Sequence, residues 1–343
     1  MYNVKFTETE VDNSYWMTLL LTVIEQRQTK KGDPYVRLSL TDGKTEAVAN
    51  LFGNTTRDGL LERGINENSP VNIKLRVSIY NDQKNYTVDA IESAELTSEE
   101  LGTLIKMPPK KPEELFVNIC RKVKSSSSRS YDMTNMRVPD DDFSLIALTM
   151  RLLAANSKDI IRSSAAKSMH HNLYGGLVYH TSRMVDLAAG VCSVYTSLNK
   201  ELLICGTALH DIGKIRELDT TISGGASYTV DGRLFGHALI GIEMIDEEVR
   251  RAASEGNTYD EEQVKLLKHL IASHHGIMEW GAIALPAIPE AMALHNIDMI
   301  DSRMYMYEEN TAPLNEGQLS EPVFGIAGDG RATVYRPKDS EQF

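Results

Sequence analysis

The chain has 343 residues, of which 42% are hydrophobic and 24% are charged, and its formal net charge is −12. This composition is typical of a soluble globular protein with room for two domains, and no apolar run approaches the ~20 residues of a membrane span. The acidic balance argues against a dedicated nucleic-acid coat protein, which is normally basic.

The N-terminus and the cysteines indicate the compartment. The opening residues, MYNVKFTETE, lack the basic and apolar regions of a signal peptide. Cys120, Cys192 and Cys205 lie far apart with no CxxC pair, so neither a disulfide framework nor a thiolate zinc site is indicated. We therefore expect a cytoplasmic protein.

The N-terminal part of the chain is predicted to form short strands. In PYVRLSLTD, Val36, Leu38 and Leu40 recur with a period of two, as in a half-buried strand. A short helix from Asp58 to Arg63 separates the third and fourth of five predicted strands. This is the element order of an OB-fold barrel, although other small β-barrels also fit. The predicted first domain covers residues 1–97.

A nucleic-acid surface on this barrel is the next expectation. OB-folds bind single strands by combining basic side chains with aromatic rings on which bases stack. The candidate residues are Lys30, Lys31, Tyr35, Lys74 and Arg76. Further candidates for stacking are Phe52, Tyr80 and Tyr86. The alternative is that the aromatic residues fill the barrel core and the lysines are merely solvated.

Prolines mark the end of the strand-rich region. Residues 98–112 are predicted to be a linker, because three prolines interrupt regular structure there. Helical periodicity then predicts an all-helical second domain over residues 113–310. Residues 311–343 carry no strong helix signal and are expected to form a C-terminal extension.

The histidines point to the chemistry. All nine lie between His170 and His295, and His210 is followed directly by Asp211 at the end of an apolar helical run. A buried imidazole and carboxylate are costly unless they are paired or bind a metal. Further ligand types lie on other predicted helices, at His180, His237, His274, His275 and Asp298. This set exceeds what one ion usually takes and contains no thiolate, which favours two ions of Mn, Fe, Ni, Co or Zn.

The order H…HD…H…HH…D, with HDIGK and SHHG, resembles the HD-domain metal-dependent phosphohydrolase superfamily over roughly residues 165–305. The OB-like region, together with HHNLYGGLVYHT, ALHDIGKIREL, SYTVDGRLFGHALIG, HLIASHHGIMEWG and LHNIDMIDSRM, makes the whole chain similar to the YhaM-type 3′-to-5′ exoribonucleases. The expected fold is therefore multi-domain, with an N-terminal all-β OB-fold-like barrel followed by an all-α HD-domain helical bundle.

The resemblance implies two divalent transition-metal ions, with Mn expected first. One ion would be held by His180, His210, Asp211 and Asp298. The second would be held by Asp211 as a bridge with His237, His274 and His275. Neighbouring helical residues diverge by ~100°, so His274 and His275 can both ligate only if the helix ends there, as Gly276 predicts.

Two residues are assigned to catalysis. Asp211 is expected to bridge the ions. Lys214, four residues after His210 and three after Asp211, is expected to point into the same cavity and contact a phosphate oxygen.

Four residues are given supporting roles. His170 and His171 are candidates for lining the substrate cleft, with helix packing as the alternative. His295 and Asp301 lie three residues before and after Asp298, on the same helix face, and are candidates for supporting the ligands.

The expected activity is a metal-dependent 3′-to-5′ exoribonuclease, in which metal-activated hydroxide attacks the phosphodiester of single-stranded RNA. Single-stranded DNA is an alternative substrate, no membrane partner is expected, and a homo-oligomer is compatible with the sequence. One rival is an HD phosphohydrolase that acts on a small nucleotide, either a dNTP or a cyclic signalling nucleotide. A second rival is a non-catalytic nucleic-acid-binding protein with a structural metal.

Overall fold

The computed structural model describes residues 2–29, 31–53, 55–80, 83–166, 173–221, 225–328 and 330–338, apart from the side chains of Ser98 and Glu99. The chain divides into two compact units. The first contains Met1–Met107 with Thr221–Gly225, and the second contains Pro108–Thr220 with Ala226–Phe343.

The first unit is built on a closed five-stranded barrel. Its strands are β1 (Ser14–Gln28), β2 (Pro34–Thr41), β3 (Glu46–Leu51), β4 (Ser69–Tyr80) and β5 (Gln83–Ser93). They close in the order β1-β2-β3-β5-β4, and helix α1 (Arg57–Glu62) lies between β3 and β4 in the chain. The β3–β5 pair is parallel and the other pairs are antiparallel. This topology confirms the predicted OB-like barrel.

Side-chain alternation explains the barrel core. Val36, Leu38 and Leu40 are buried, whereas Arg37 between them is exposed, as the period of two predicts. Tyr86 is also buried, and its ring packs edge-on against that of another core aromatic residue, with 5.2 Å between ring centroids. The stacking role considered for Tyr86 is therefore wrong, because its strand register directs the ring inward.

The segment predicted to be a linker contains ordered structure. Helix α2 (Ser98–Gly102) begins with a capping box between Thr97 and Glu100, and Leu104 and Ile105 are buried. Gly43 permits this packing: its φ is +88°, and a Cβ there would lie 2.3 Å from the Thr103 carbonyl oxygen. The first unit accordingly extends to Met107.

The second unit is predominantly helical, as predicted. Its helices are α3 (Pro112–Ser126), α4 (Leu145–Ala155), α5 (Ser157–Arg162), α6 (Gly176–Val194), α7 (Lys200–Leu209), α8 (Lys214–Glu217), α9 (Val230–Ser254), α10 (Glu261–Ser273) and α11 (Pro289–Thr311). Two small antiparallel sheets accompany them: β6 (Leu218–Thr220) with β7 (Ala226–Tyr228), and β8 (Val323–Phe324) with β9 (Arg331–Ala332). Throughout the described residues, every helix is too short or too polar to span a bilayer.

Helix α7 lies at the centre of this unit. Its residues from Leu202 to Leu209 are all buried, and it packs against α6, α10 and α11, among others. Each of these three neighbours carries or directly precedes a predicted ligand. The apolar core therefore brings polar side chains from distant parts of the sequence together.

Candidate metal centre

Most of the predicted ligands lie where a helix ends or bends. His210 and Asp211 directly follow α7, and His274 and His275 directly follow α10. His237 lies one residue after Gly236, whose φ of 71° and ψ of 157° interrupt α9. His210 and His274 keep helical backbone angles as the C-cap residues of α7 and α10. Because each helix ends at these residues, the residue that follows can also direct its side chain into the same space.

One cluster contains His180, His210 and Asp298. One ligand atom from each lies within 4.8 Å of the others. His180 Nε2 is 3.4 Å from Asp298 Oδ1, and the two imidazole centroids are 5.3 Å apart. Both histidines are fully buried. This set of nitrogen and oxygen atoms suits a divalent transition-metal ion.

A second cluster contains His237, His274 and His275, whose ligand atoms also lie within 4.8 Å of one another. His237 Nε2 is 3.4 Å from His274 Nε2 and 3.2 Å from His275 Nε2. Helix α10 ends at Ser273 and Gly276 has a φ of +75°, as the sequence predicts. Both adjacent histidines therefore reach the same cluster.

Asp211 lies between the two clusters. Its Oδ2 is 3.2 Å from His210 Nε2 and 3.8 Å from His180 Nε2. Its Oδ1 is 3.4 Å from His237 Nε2 and 3.8 Å from His274 Nε2. Each carboxylate oxygen thus faces a different group of imidazoles, which is the arrangement that a bridging ligand requires.

The hydrogen bonding shows that these atoms fit a cation. In the described part of the chain, His210 Nε2 and Asp211 Oδ1 are buried and have no hydrogen-bond partner. A buried polar atom without a partner costs about 1–3 kcal/mol, and more when it is charged. An ion in each cluster would satisfy one of these two atoms, so the residues present fit the two-ion site that the sequence predicts.

The protonation states also favour ligation. Burial lowers the pKa of His274 and His275, which keeps both imidazoles neutral. Burial alone would raise the pKa of Asp211, but the neighbouring His210 imidazole and the Lys214 ammonium group outweigh burial and hold that pKa well below its ordinary value. Neutral imidazoles and ionised carboxylates are the forms that donate electron pairs to metals.

His180 differs from the other imidazoles. Burial lowers its pKa, but hydrogen bonds to Asp298 and Asp301 outweigh burial and raise the pKa to about 10. A cation that binds Nε2 must therefore displace a proton from the ring. The negative charge of the surrounding carboxylates stabilises the protonated His180 imidazole, and it would equally stabilise a bound metal ion.

The outer nitrogen of each of four histidines contacts an oxygen atom. His180 Nδ1 is 2.7 Å from Asp301 Oδ2, and His237 Nδ1 is 3.1 Å from Glu217 Oε1. The Nδ1 atoms of His210 and His274 lie 2.8 and 2.7 Å from backbone carbonyl oxygens in the preceding helical turn. These contacts orient Nε2 towards the interior. Sequence reasoning missed Glu217, because it lies twenty positions from His237 and no motif links the two.

Arg183 supports the same network from α6. Its Nε forms an ion pair with Asp301 Oδ1 at 2.5 Å, and its guanidinium also donates hydrogen bonds to Glu308. Asp301 therefore lies between a guanidinium and the His180 imidazole. This link was also missed, because a charged residue on an amphipathic helix usually faces solvent.

A cavity of about 360 Å³ opens beside the clusters. It is lined by Asp211, Lys214, His275, Trp280, His295, Asp298, Met299, Ser302, Arg303, Met306, Phe324, Gly325 and Gly328. Lys214 Nζ donates to Asp211 Oδ2 at 2.7 Å. His295 Nδ1 lies 3.0 Å from the His274 carbonyl oxygen. Phe324, Gly325 and Gly328 belong to the predicted C-terminal extension, which therefore forms part of the cavity wall.

The other residues predicted to bind substrate do not cluster in the way that the metal ligands do. His170, His171 and Lys30 lie outside the described residues. Tyr35 pairs in register with Arg27 near the end of β1, whereas Lys74 pairs with Trp16 near its beginning. The barrel candidates therefore do not form a single patch.

Their individual environments also differ. Lys31 is exposed, and the Tyr35 ring packs against Phe52 with 5.2 Å between centroids. Arg76 forms an ion pair with Asp89 at 3.2 Å, which partly neutralises its charge.

Two solved structures of the mitochondrial single-stranded DNA-binding protein Rim1 from S. cerevisiae show similarity to this chain. Their sequence identities are 8% and 10%, and the matches cover 25% and 26% of this chain and 98% and 100% of the respective Rim1 chains. The TM-score is 0.22 in both cases. The OB-like character of the barrel rests on its own strand order.

A family model described as HD domain matches residues 177–309. The match begins at the second residue of α6 and ends two residues before the end of α11. It includes both clusters, Asp211, Lys214 and the supporting Asp301. Residues 177–309 of this chain are an HD domain.

Proposed function

We propose that this chain is a metal-dependent phosphodiesterase that removes nucleotides one at a time from the 3′ end of single-stranded RNA. The observation that carries the proposal is the position of Asp211, with one carboxylate oxygen towards each imidazole cluster. Two adjacent divalent ions are a recurrent means of cleaving phosphodiesters.

Seven residues would hold the two ions. His180, His210 and Asp298 would bind one ion, His237, His274 and His275 the other, and Asp211 would contact both. Mn is the first candidate, with Fe, Co, Ni and Zn as alternatives, because imidazole and carboxylate ligands suit this group. When bound, such ions lower the pKa of coordinated water and stabilise negative charge that develops at phosphorus.

The chain's own residues would position the substrate. Lys214 lines the cavity and carries a positive charge beside Asp211, where it can approach a phosphate oxygen. Ser302 donates to Asp298 Oδ1 at 3.1 Å and so orients that carboxylate. Asp301 and Glu217 would keep His180 and His237 in ligating orientations.

The barrel would guide the strand. Phe52 and Tyr80 are exposed aromatic residues, at 49% and 70%, and Lys31 is an exposed cation. Exposed aromatic and basic side chains on an OB-like barrel suit stacking of bases and attraction of phosphates. Tyr35, Lys74 and Arg76 would add contacts at other positions on the barrel.

A 5′-labelled single-stranded RNA oligonucleotide with Mn²⁺ tests the activity. We expect a ladder that shortens from the 3′ end, and we expect Asp211→Ala to abolish it while the circular dichroism spectrum stays unchanged. The same assay with a DNA oligonucleotide reports the sugar preference. Internal cuts alone, or no cleavage with any of the five metals, would overturn the proposal.

The alternative is an HD phosphohydrolase that acts on a small nucleotide. Two observations on the barrel favour it: the barrel candidates do not form one patch, and Arg76 is already paired with Asp89. The cavity volume of about 360 Å³ also suits a small ligand.

Charge reversal on the barrel separates the two functions. Lys31→Glu with Lys74→Glu should weaken cleavage of an oligonucleotide several-fold, and the effect should grow at low salt. Cleavage of bis(p-nitrophenyl) phosphate should be unchanged. The matched control reverses the charges of Lys110 and Lys158 by the same Lys→Glu change; both are exposed lysines of the second unit. Equal oligonucleotide cleavage by both double variants and wild type would favour the small-nucleotide alternative.

A further inference from the structure

Arg303 has an unusual environment for an arginine of this acidic chain. It lies on α11, lines the cavity beside the metal clusters, and its Nε is buried without a hydrogen-bond partner. Within the described residues no carboxylate pairs with its guanidinium, whereas Arg183, Arg216 and Arg251 each pair with at least one. A half-buried cation without a counter-ion indicates a site for an anion.

The surroundings of Arg303 suit a phosphate group. The guanidinium is always protonated and presents a planar set of donors that matches two phosphate oxygens. Trp280, Met299, Met306 and Phe324 line the same cavity and are largely apolar. Charge-assisted hydrogen bonds gain strength where apolar walls limit water.

The position of Arg303 distinguishes it from Lys214. Arg303 lies five residues after Asp298, which corresponds to about 7.5 Å along the helix axis. Asp211, Asp298 and Lys214 already surround the place where the scissile phosphate would lie. Arg303 is therefore a second cation, displaced along the helix axis from Asp298, and it is available for a second anionic group.

We propose that Arg303 binds the phosphate next to the scissile one, which makes the cavity a subsite for substrates with at least two phosphates. This inference rests on the proposed phosphodiesterase activity. In a strand that is cut from its 3′ end, the neighbouring phosphate is the penultimate linkage. Phe324, Gly325 and Gly328 line the same cavity and would contact the penultimate nucleotide, which lies between the two phosphates.

The test combines a protein substitution with a substrate substitution. The rate of release of the first nucleotide is measured at saturating Mn²⁺ for an oligonucleotide with a normal or a methylphosphonate penultimate linkage. Wild type should be slowed roughly 10–100-fold by the neutral linkage, because a hydrogen bond to a charged group is lost. Arg303→Gln should be equally slow on the normal oligonucleotide and should show no further loss on the modified one. Additive losses would overturn the proposal.

Bis(p-nitrophenyl) phosphate, which contains one phosphate, supplies the internal control. Arg303→Gln should cleave it within twofold of wild type, and a larger loss would place Arg303 at the scissile phosphate and refute the proposal. Arg303→Lys keeps the charge but not the planar donors, and should fall between wild type and Arg303→Gln on the normal oligonucleotide. The matched control is Arg250→Gln on α9, which removes an exposed arginine and should change neither rate.

Failure of the exonuclease proposal can be distinguished from failure of this one. If wild type cleaves bis(p-nitrophenyl) phosphate but does not shorten oligonucleotides, a cyclic dinucleotide and a cyclic mononucleotide replace the oligonucleotide pair. Arg303→Gln should then lose roughly 10–100-fold on the two-phosphate substrate alone. Equal losses on both cyclic nucleotides, or no loss on either, would overturn the role of Arg303.

Discussion

Each unit of this protein buries a carboxylate, and the two are satisfied in different ways. Asp42 in the barrel is 1% exposed and Asp211 in the helical unit is 3% exposed. Asp42 accepts hydrogen bonds from the backbone N–H groups of Phe6, Lys44 and Thr45. Asp211 accepts one from Lys214, and within the described residues its Oδ1 accepts none.

The difference lies in what satisfies each buried carboxylate. The fold alone satisfies Asp42, so its burial needs no ligand. Asp211 is surrounded by imidazoles whose inner nitrogens also face the interior, and a bound cation would complete that arrangement. Burial and residue type are nearly the same at the two positions; the hydrogen-bond partners distinguish them.

The largest expected effect is on metal binding at Asp211. A divalent ion at 100 times its Kd should stabilise the folded helical unit by about 2.7 kcal/mol, which raises Tm by roughly 5–10 °C. Asp211→Ala should abolish this rise, because the bridging oxygens are gone. The measurement is thermal unfolding with Mn²⁺ and with EDTA. Asp42→Asn should retain the metal-dependent rise in Tm. Loss of this rise in Asp42→Asn, or its persistence in Asp211→Ala, would contradict the proposed difference between the two carboxylates.

A smaller effect is expected from the support behind His180. Asp301→Asn keeps the side-chain shape but removes the charge that orients His180 Nδ1, and metal affinity should fall roughly 10–100-fold. The phosphodiesterase rate should recover at saturating metal. The readout is the metal concentration that gives half-maximal rate, together with metal binding by calorimetry.

Glu308→Gln provides the matched control for Asp301→Asn. Both carboxylates contact Arg183, but only that of Asp301 reaches His180. Glu308→Gln should leave metal affinity within twofold of wild type. Equal losses in the two variants would show that Arg183, and not the His180 contact, accounts for the effect.

No effect on metal binding or activity is expected at Asp42, where the prediction concerns stability alone. Its pKa lies below its ordinary value: burial raises it, but hydrogen bonds from the Phe6, Thr45 and Lys44 N–H groups outweigh burial. Its contribution, about 1–3 kcal/mol, should be fully present above pH ~4 and lost as the pH falls through the lower folded-state pKa.

The corresponding variant is Asp42→Asn. It should lower the free energy of unfolding of the barrel at pH 7 and reduce its acid dependence, while hydrolysis of bis(p-nitrophenyl) phosphate stays unchanged. Denaturant unfolding at pH 7 and pH 3 measures both effects. An unchanged pH dependence would show that the ionised carboxylate is not what stabilises this turn.

Local patterns predicted much of the fold. Alternation at Val36, Leu38 and Leu40 placed a strand and its buried face, and Gly276 marked the end of α10. Three acidic residues, Asp140 to Asp142, lie just before α4, yet this helix begins only at Leu145 with Ser144 as its cap. Asp142 instead accepts hydrogen bonds from Arg129 and Tyr131, and these contacts between residues more than ten positions apart override the local preference for an acidic helix start.

The sequence by itself determined the kinds of chemical groups available and their order, because ligand types at breaks in helical periodicity are visible along the chain. Only the tertiary structure decided how these groups are oriented. The contact of His180 with Asp301 spans 121 positions. Glu217 and Arg303 lie within the stretches ALHDIGKIREL and LHNIDMIDSRM, but nothing in those stretches indicates what the two side chains contact. The same limit applies to the barrel, where strand register separates Tyr35 from Lys74. Periodicity defines which face of an element a side chain occupies, but packing between elements determines which faces meet.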